Sequence, residues 1–346
     1  YRQSTDSIWI GTDGGGINLF NPRTEKFTHY LSTWNDKIAF ISGFTPGKLL
    51  ISLFSKGVFI FNPATGEKQP FTIVDKETTT QLCNRGKSVN LYQNTPNTVL
   101  LLGDHVYQYH LKEKKFDKVT GEEGKSIVGT LVPFKHENNR TYINDFKHIY
   151  ELHDGDSLLQ TTFECYQDTV ISSASHDEHG DFWIGSNFGL IHYNPVSQKQ
   201  THILTNLFTE VNMVQCDQRG KVWIGADNLL FAWLIQEQKF VLFGESNGAI
   251  QNEYLPNARL VNNEGDVYIG GVKGMLRIDG QLLLNTSEMP EMHRRRWWVL
   301  SSMVSLHRTS YIVIRQQSLS HGTAISPSES CRKKRISSVR KSTAIG

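Results

Sequence analysis

Acidic side chains are the first candidates for chemistry in this sequence. Five carboxylates stand out, at Glu25, Asp75, Glu164, Glu210 and Glu253. Two carboxyl groups about 5 Å or about 6.5–9.5 Å apart form the acid and base of glycoside hydrolysis. Nothing in the sequence places any two of these five at such a distance, and acids are common on surface loops. We therefore predict no catalytic residue.

Two histidines suggest a metal site. His176 and His179 flank Asp177 and Glu178, and imidazole and carboxylate groups both bind metal ions. The same turn recurs at Cys216–Gly220 without any histidine. A solvated turn is the simpler interpretation, so the sequence predicts neither a metal ion nor another cofactor.

The glycines of Asp13–Gly16 could also be taken for a phosphate-binding loop. Such a loop needs a helix after the glycines and usually a Lys followed by Ser or Thr. Here the alternating run Ile17–Phe20 follows, which is typical of a strand. The segment therefore predicts a hairpin turn.

These candidates must be positioned by a repeat that runs through most of the chain. Its mark is an aromatic residue followed by Ile and Gly, which is found in four full copies and three degenerate ones. The aromatic position of the motif is occupied by Trp9, Leu50, Leu100, Tyr142, Trp183, Trp223 and Tyr268. The steps between these residues are 41, 50, 42, 41, 40 and 45 residues. A period of about 40–50 residues built from short strands is typical of a β-propeller.

Each copy also contains the signals of four strands. A turn such as Asp217–Gly220 precedes the triplet, a Gly-containing hairpin such as Asn187–Gly189 follows it, and an Asn-Pro turn such as Asn194–Pro195 comes next. No helical periodicity precedes residue 279. The sequence therefore predicts an all-β fold, a seven-bladed β-propeller of four-stranded antiparallel blades.

The pattern of Ile8–Tyr30 resembles the two-component regulator propeller repeat. The segment Gly248–Tyr254, with Val267–Met275 after it, is similar to the last blade of that family. The resemblance covers about residues 1–292, and it is specific in blades one, five, six and seven. In the family this blade is followed by a small immunoglobulin-like domain, a transmembrane helix and cytoplasmic kinase modules.

The resemblance implies a function as well as a fold. Such propellers form the periplasmic sensor region of hybrid two-component histidine kinases, found mainly in gut Bacteroidetes, whose parent proteins are anchored in the inner membrane. They bind oligosaccharides and control polysaccharide-utilisation genes. The implied partners are an oligosaccharide and a second copy of the parent sensor, with no nucleic acid and no membrane contact by this chain. The chain itself lacks kinase motifs, so we expect no enzyme activity from it.

Ligand-binding residues are expected on the loops around the central channel. The candidates for stacking on or hydrogen-bonding to a sugar are Trp34, Asn35, Asp36, Asn187, Phe188, Asn228, Asn252, Glu253 and Tyr254. For Asn252 and Glu253 there is an alternative, in which they satisfy backbone groups at the inner strand ends. Trp9, Trp183 and Trp223 are expected in the blade core instead.

Charge and composition divide the chain. Residues 293–346 hold 11 Lys and Arg but one acid, a net charge of +10, whereas the other 292 residues have a net charge of −8. We predict a propeller over 1–279, a linker over 280–292 and a basic Ser/Arg-rich tail over 293–346. The tail is either a basic arm for nucleic acid or membrane surfaces, or a disordered segment translated out of frame.

Several points stay open at this level. Tyr1 lies directly before a predicted strand, which indicates a cut N-terminus. The four cysteines lack metal-like spacing, and buried free thiols are the preferred interpretation. Rival functions are a carbohydrate lyase or glycosidase on the same fold, and a scaffold that binds protein. Neither the glycan nor the propeller of the parent that binds it can be named from this sequence.

Overall fold

The computed structural model describes most of the first 280 residues and two short strands beyond them. For Glu123 and for 132–135, 299–300 and 311–314 only the backbone is described. The described residues are 1–4, 6–33, 35–54, 56–71, 89–103, 105–124, 132–135, 140–153, 158–166, 168–203, 205–217, 219–245, 248–280, 299–300 and 311–314.

Four sheets make up the first half of the fold. Their strands are β1 (Arg2–Ser4), β2 (Ser7–Gly11), β3 (Ile17–Asn21) and β4 (Lys26–Tyr30); β5 (Ile38–Gly43), β6 (Leu49–Leu53), β7 (Gly57–Phe61) and β8 (Lys68–Pro70); β9 (Asn90–Thr95), β10 (Thr98–Leu102), β11 (Val106–His110) and β12 (Lys115–Val119); and β13 (Val132–Lys135), β14 (Arg140–Asn144), β15 (His148–His153) and β16 (Gln160–Glu164). A single 3-10 turn, Glu122–Gly124, follows β12 in the described part of the chain.

Three further sheets complete the ring. Their strands are β17 (Ile171–His176), β18 (Phe182–Ser186), β19 (Gly189–Asn194) and β20 (Lys199–Ile203); β21 (Met213–Cys216), β22 (Lys221–Ala226), β23 (Leu229–Leu234) and β24 (Lys239–Phe243); and β25 (Tyr254–Val261), β26 (Val267–Gly271) and β27 (Gly274–Ile278), with β28 (Val299–Leu300) and β29 (Tyr311–Ile314) beside them.

The seven sheets are the predicted seven blades. Each sheet is an antiparallel meander through β27, and from blade two to blade seven the first strands of neighbouring sheets lie against one another around the axis. The seven repeat residues all occupy the second strand of their sheets: Trp9, Leu50, Leu100, Tyr142, Trp183, Trp223 and Tyr268. The prediction that the weak copies are equivalent to the strong ones is therefore confirmed.

Blade one is completed by the first residues of the chain. The short strand β1 pairs with β2, with Arg2 opposite Ile8 and Ser4 opposite Ser7. Arg2 also donates from Nη1 to Asn263 Oδ1 of blade seven at 2.7 Å. Residues 1–4 thus supply the inner strand of blade one.

Blade seven departs from the predicted meander. Its fourth position is taken by β29, which pairs in parallel with β27, and β28 then pairs with β29. An antiparallel strand directly after β27 is therefore not present in the described residues. Most of 293–346 lies outside these residues, so the predictions of a disordered or out-of-frame tail and of its domain boundaries stay predictions.

Alternation along the strands creates the core. The triplet glycines allow neighbouring blades to come close: a Cβ at Gly185 would lie 2.6 Å from Val211 Cγ1, and one at Gly225 would lie 2.8 Å from Tyr254 Cβ. Both partners belong to the next blade along the chain. Side chains from adjacent blades then form shared apolar clusters, such as that of Trp223 with Ile269.

A recurring polar turn anchors the tryptophans. Between β17 and β18, Asp177 Oδ1 accepts the backbone N–H groups of His179 at 2.9 Å and Asp181 at 3.1 Å. The other oxygen, Oδ2, accepts Trp183 Nε1–H at 2.9 Å. Blade six repeats the arrangement with Asp217, whose Oδ2 accepts Trp223 Nε1–H at 3.3 Å. The buried carboxylate therefore shapes the turn and satisfies the indole at the same time.

No helix in the described residues is long and apolar enough to cross a bilayer.

Two buried tyrosines should respond differently to loss of the hydroxyl. Tyr254 Oη donates to the Ile250 carbonyl at 3.0 Å, whereas the buried Tyr268 Oη has no hydrogen-bond partner among the described residues. Tyr254→Phe should lower the free energy of unfolding by about 1 kcal/mol, since it removes one hydrogen bond. Tyr268→Phe should leave it unchanged or raise it. Urea titration of both variants measures the difference, and equal losses would contradict it.

Alkaline pH should destabilise the propeller through the same residues. Burial raises the pKa of Tyr254 and of Tyr268 to about 12. Above pH 10 the unfolded chain loses these protons while the folded chain keeps them, so stability falls as pH rises. The loss reaches about 2 kcal/mol per tyrosine at pH 12. Urea midpoints between pH 8 and 12 should fall less steeply for Tyr268→Phe than for the unmodified chain.

Candidate functional site

The loops that carry the predicted site residues lie at one end of the propeller. In an antiparallel meander, hairpins between second and third strands share an end with the connections between blades. We call this end the upper face, and the end with the turns between first and second strands the lower face. The described candidates all lie at this upper face, on its loops or, for Tyr254, at the first residue of β25: Asn35, Asp36, Asn187, Phe188, Asn228, Asn252, Glu253 and Tyr254. Trp34 lies outside the described residues.

Asn252 connects the upper loops of two blades. Its side chain is 2% exposed, and its Oδ1 accepts the Lys273 N–H at 2.9 Å while Nδ2 donates to the Gly274 carbonyl at 3.4 Å. Its own N–H donates to the Asn228 carbonyl at 2.9 Å. Asn252 thus satisfies backbone groups, as in the alternative stated above, but these groups belong to the hairpin between β26 and β27 and not to an inner strand end.

Glu253 and Tyr254 point to opposite environments. The Glu253 side chain is exposed, and its carbonyl accepts the Val272 N–H at 3.1 Å. Tyr254 is 2% exposed and packs in the apolar cluster between blades six and seven. Tyr254 is therefore a core residue in this structure, and a ligand on the upper face would meet Glu253 instead.

Asn187 and Phe188 form the tip of the hairpin between β18 and β19. Asn187 Oδ1 accepts the Val170 N–H at 2.7 Å, and its Nδ2 donates to the Asp168 carbonyl at 3.2 Å. These bonds hold the loop that enters blade five against the hairpin. Phe188 is 59% exposed, so an aromatic face is presented to solvent on a fixed support.

The remaining candidates are dispersed. Asp36 is buried, and its Oδ1 accepts the Lys37 N–H at 2.9 Å while its carbonyl accepts the Gly14 N–H at 3.3 Å. Asn35 is exposed. Asn228 is exposed in the turn between β22 and β23, where its φ of 62° and that of Asp227, 49°, are typical of a tight hairpin.

A cleft opens beside Phe188 on the upper face of blade five. The volume of this open cleft is about 510 Å³, which accommodates a ligand of a few rings. Three segments line it: Tyr166, Asp168 and Thr169 from the loop that enters blade five, Asn187, Phe188 and Gly189 from the β18–β19 hairpin, and His202, Ile203, Thr205, Phe208 and Thr209 from the end of β20 and the connection after it. Sequence reasoning found only Asn187 and Phe188 among them.

The cleft combines an apolar base with a polar rim. Phe208 is 4% exposed and packs against Phe231 at a ring separation of 5.0 Å, so its position is fixed by the blade core. Tyr166 is 71% exposed. Asp168 and His202 are exposed beside it. Such a surface offers stacking and hydrogen bonds but little full enclosure.

The carboxylates considered first do not gather at one place. Glu25 lies in the lower-face turn between β3 and β4, 3.8 Å from Arg277 Nη1. Glu164 ends β16, and its Oε1 is 3.7 Å from His148 Nε2. Glu210 and Glu253 lie on separate upper loops. Asp75 is outside the described residues.

A compact set of metal-type donors was missed by the sequence reasoning. Asp177, Asp181 and His192 place one donor atom each within 4.8 Å of one another, whereas His176 and His179 do not belong to the set. His192 Nε2 lies 2.8 Å from Asp181 Oδ2, and Asn194 Nδ2 donates to Asp181 Oδ1 at 2.6 Å. The set is thus joined by its own hydrogen bonds. At the same position of blade seven, Arg277 Nη2 forms an ion pair with Asp266 Oδ2 at 2.6 Å.

Tyr150, Asp145 and His148 form a hydrogen-bonded cluster at the hairpin between β14 and β15. Tyr150 Oη donates to Asp145 Oδ2 at 2.8 Å, and Asp145 Oδ1 accepts the His148 N–H at 2.6 Å. Burial, with the hydrogen bond to Asp145 next, raises the pKa of Tyr150 far above its usual value. The hydroxyl therefore stays protonated at neutral pH.

Two of the cysteines are buried free thiols, Cys165 and Cys216. Burial raises the pKa of Cys165 to about 12, so its thiolate is absent at neutral pH. For these two the preferred interpretation is confirmed. Cys83 and Cys331 lie outside the described residues.

Comparison with known proteins supports the fold. No family model matches the sequence, and no curated protein matches it. Among solved structures, the extracellular domain of BT4673 from B. thetaiotaomicron, named for a one-component system, is similar with a TM-score of 0.50 and 15% identity over 80% of this chain and 37% of its own. The extracellular domain of the hybrid two-component system BT3049 from the same species has a TM-score of 0.47 and 13% identity, over 81% of this chain and 44% of its own.

A third similar structure is YCF48 bound to a D1 peptide. It has a TM-score of 0.57 and 10% identity, and the match covers 77% of this chain and 85% of YCF48. The chain therefore spans less than half the length of the two bacterial extracellular domains and most of the length of YCF48. At these identities the likeness to the BT4673 domain and to YCF48 supports a shared fold and no more.

Removal of Asn252 should destabilise the upper face. Asn252→Ala leaves a backbone N–H and a carbonyl without their side-chain partners, so the free energy of unfolding should fall by about 2 kcal/mol. The exposed Asn257 serves as a matched control, and Asn257→Ala should change it by less than about 0.5 kcal/mol. Chemical denaturation of both variants tests this, and similar values would show that the Asn252 contacts carry little stability.

Proposed function

We propose that this chain is the ligand-recognising propeller of a periplasmic sensor. The observation that carries the proposal is the cleft of about 510 Å³ on blade five, which presents aromatic and polar groups on a fixed support. The similar BT4673 domain is an extracellular part of a signalling protein, which supports an extracytoplasmic sensor role for this propeller too. The resemblance of the repeat to the regulator propeller family supports the same role.

An oligosaccharide is the ligand class that fits the cleft best. Sugar rings stack their C–H faces on exposed aromatic rings such as Phe188 and Tyr166, while their hydroxyls need both donors and acceptors. Asp168, His202 and Thr205 provide such groups around the cleft. The body of the chain has a net charge of −8, which disfavours sulfated or otherwise strongly acidic glycans.

The signal would arise from differential binding. In a dimeric parent sensor, a ligand that binds one arrangement of the two copies more tightly than the other shifts the population toward it. The parent in this proposal is a histidine kinase anchored in the inner membrane, and the response is transcription of polysaccharide-utilisation genes. The propeller contributes recognition, and the kinase modules contribute the chemistry.

Binding without turnover is the preferred form of this proposal. Among the described residues, Tyr150 with Asp145 and His148 most resembles a proton-transfer group. The raised pKa of Tyr150 makes its hydroxyl a poor base at neutral pH. A carbohydrate lyase or glycosidase is therefore the weaker candidate.

Calorimetric titration against a panel of neutral and acidic oligosaccharides tests the proposal. A neutral oligosaccharide should bind, and Phe188→Ala and Tyr166→Ala should each weaken its Kd about tenfold, equivalent to ~1.4 kcal/mol. Val196→Ala is the matched control, because Val196 is 93% exposed on the lower face. It should leave the Kd unchanged.

Product analysis in the same reactions separates binding from catalysis. Release of new reducing ends or unsaturated sugars would move the protein to the enzyme class. A silent panel, or equal effects of the Phe188 and Val196 variants, would contradict a sugar site on blade five.

A further inference from the structure

Exposed apolar side chains are concentrated on the upper face, and some of them lie away from the cleft. On the loops of blades six and seven, Leu207 is 50% exposed, Leu255 37% and Val272 64%. None of the three lines the blade-five cleft. Apolar side chains exposed together on adjoining loops are a common mark of an interaction surface.

Acidic side chains are exposed on the same part of the upper face. Glu210, Asp227, Glu245 and Glu253 are exposed on the same loops, and no ion pair involves any of them within the described ranges. Lys273 is the one exposed cation of the described residues in this group of loops. We call Leu207, Glu210, Asp227, Glu245, Glu253, Leu255 and Val272 the acidic sector.

Backbone hydrogen bonds make the acidic sector a continuous support. The Asn252 N–H donates to the Asn228 carbonyl at 2.9 Å, which joins the loop that enters blade seven to the blade-six hairpin. The Val272 N–H donates to the Glu253 carbonyl at 3.1 Å, which joins that loop to the blade-seven hairpin. Because the loops are held before binding, a partner pays little for ordering them.

We propose that the acidic sector docks a protein segment that carries Lys or Arg beside apolar side chains. The carboxylates supply complementary charge and steer the encounter, and Leu255 and Val272 supply contact area. Four acids against the single cation Lys273 leave this surface negative, which disfavours acidic glycans and nucleic acids. They also disfavour a symmetric contact with a second copy, since that contact would place like charges opposite one another.

This docking is separate from the sugar site proposed above. The acidic sector uses none of the residues that line the cleft, and its only shared segment is the connection between β20 and β21, which carries Leu207 and Glu210 as well as the cleft residue Phe208. The two proposals can therefore fail independently, and a single protein preparation can test both.

Fluorescence anisotropy with three synthetic ten-residue peptides, titrated with the full chain, tests the docking. One peptide alternates Lys and Leu, the second Glu and Leu, and the third Lys and Ser. The Lys/Leu peptide should bind at least tenfold more tightly than either of the others, and its Kd should rise as salt is added. Equal binding of the Glu/Leu peptide would overturn the proposal.

Charge reversal at matched positions locates the surface. The double variant Glu245→Lys, Glu253→Lys should weaken the Lys/Leu peptide at least tenfold, and Val272→Ser about threefold. The control double variant Glu178→Lys, Glu264→Lys changes the net charge equally, on exposed acids of the lower face. This double variant and the separate control Val196→Ser should each change the Kd of the Lys/Leu peptide less than twofold.

Folding and competition complete the test. Thermal melts must show that each variant is folded. Phe188→Ala should weaken binding of the oligosaccharide but leave the Kd of the peptide unchanged. The proposal would be overturned if the control variants weakened binding of the Lys/Leu peptide as much as the upper-face variants do. So would self-association of the chain that depends on Glu245 and Glu253, because a second copy would then be the occupant.

Discussion

The structure depends on a packing requirement that no blade meets alone. One face of each four-stranded sheet is apolar, and it is buried only when the next blade covers it. The ring must therefore close, and blade one meets blade seven through Phe20 and Tyr268, whose ring centroids are 6.4 Å apart. Side chains on the second strands mediate this packing in every blade. The exposed loop residues do not take part in this packing, so their side chains can form binding surfaces.

Closure creates a second requirement, at the inner strands. Their edges face the axis with unpaired backbone groups, and side chains satisfy several of them. Ser173 and Ser175 accept the N–H groups of Val214 and Cys216 at 3.1 Å each. The Arg259 guanidinium donates to the carbonyls of Ala174 and Val214. Burial lowers the pKa of Arg259 to about 10, yet the group remains charged at neutral pH. Side chains of the inner strands thus satisfy several of the backbone groups that face the axis.

The repeat was readable from sequence because its signals are local. Trp9, Trp183 and Trp223 mark second strands, and the glycine after each marks a close approach, so fold and blade count followed from spacing. The cleft was only partly predictable. Tyr166, Asp168 and His202 come from loops that vary between blades, and their proximity arises from the way three connections converge. Tyr254 shows the opposite error: its motif drew attention, yet its side chain is in the core, since alternation along β25 turns it inward.

The contact between the first and last blades also bears on how the chain reaches its native state. Arg2 and Asn263 are separated by 261 positions, and Arg277 and Pro22 by 255. Joining such distant segments costs more chain entropy than joining neighbouring strands, and contacts of this range slow folding. Blades five and six are built from neighbours in sequence and can form early. The three residues of β1 then add few bonds to the seam. We therefore expect that seam to be the last part of the ring to assemble and the first to open under mechanical or thermal load.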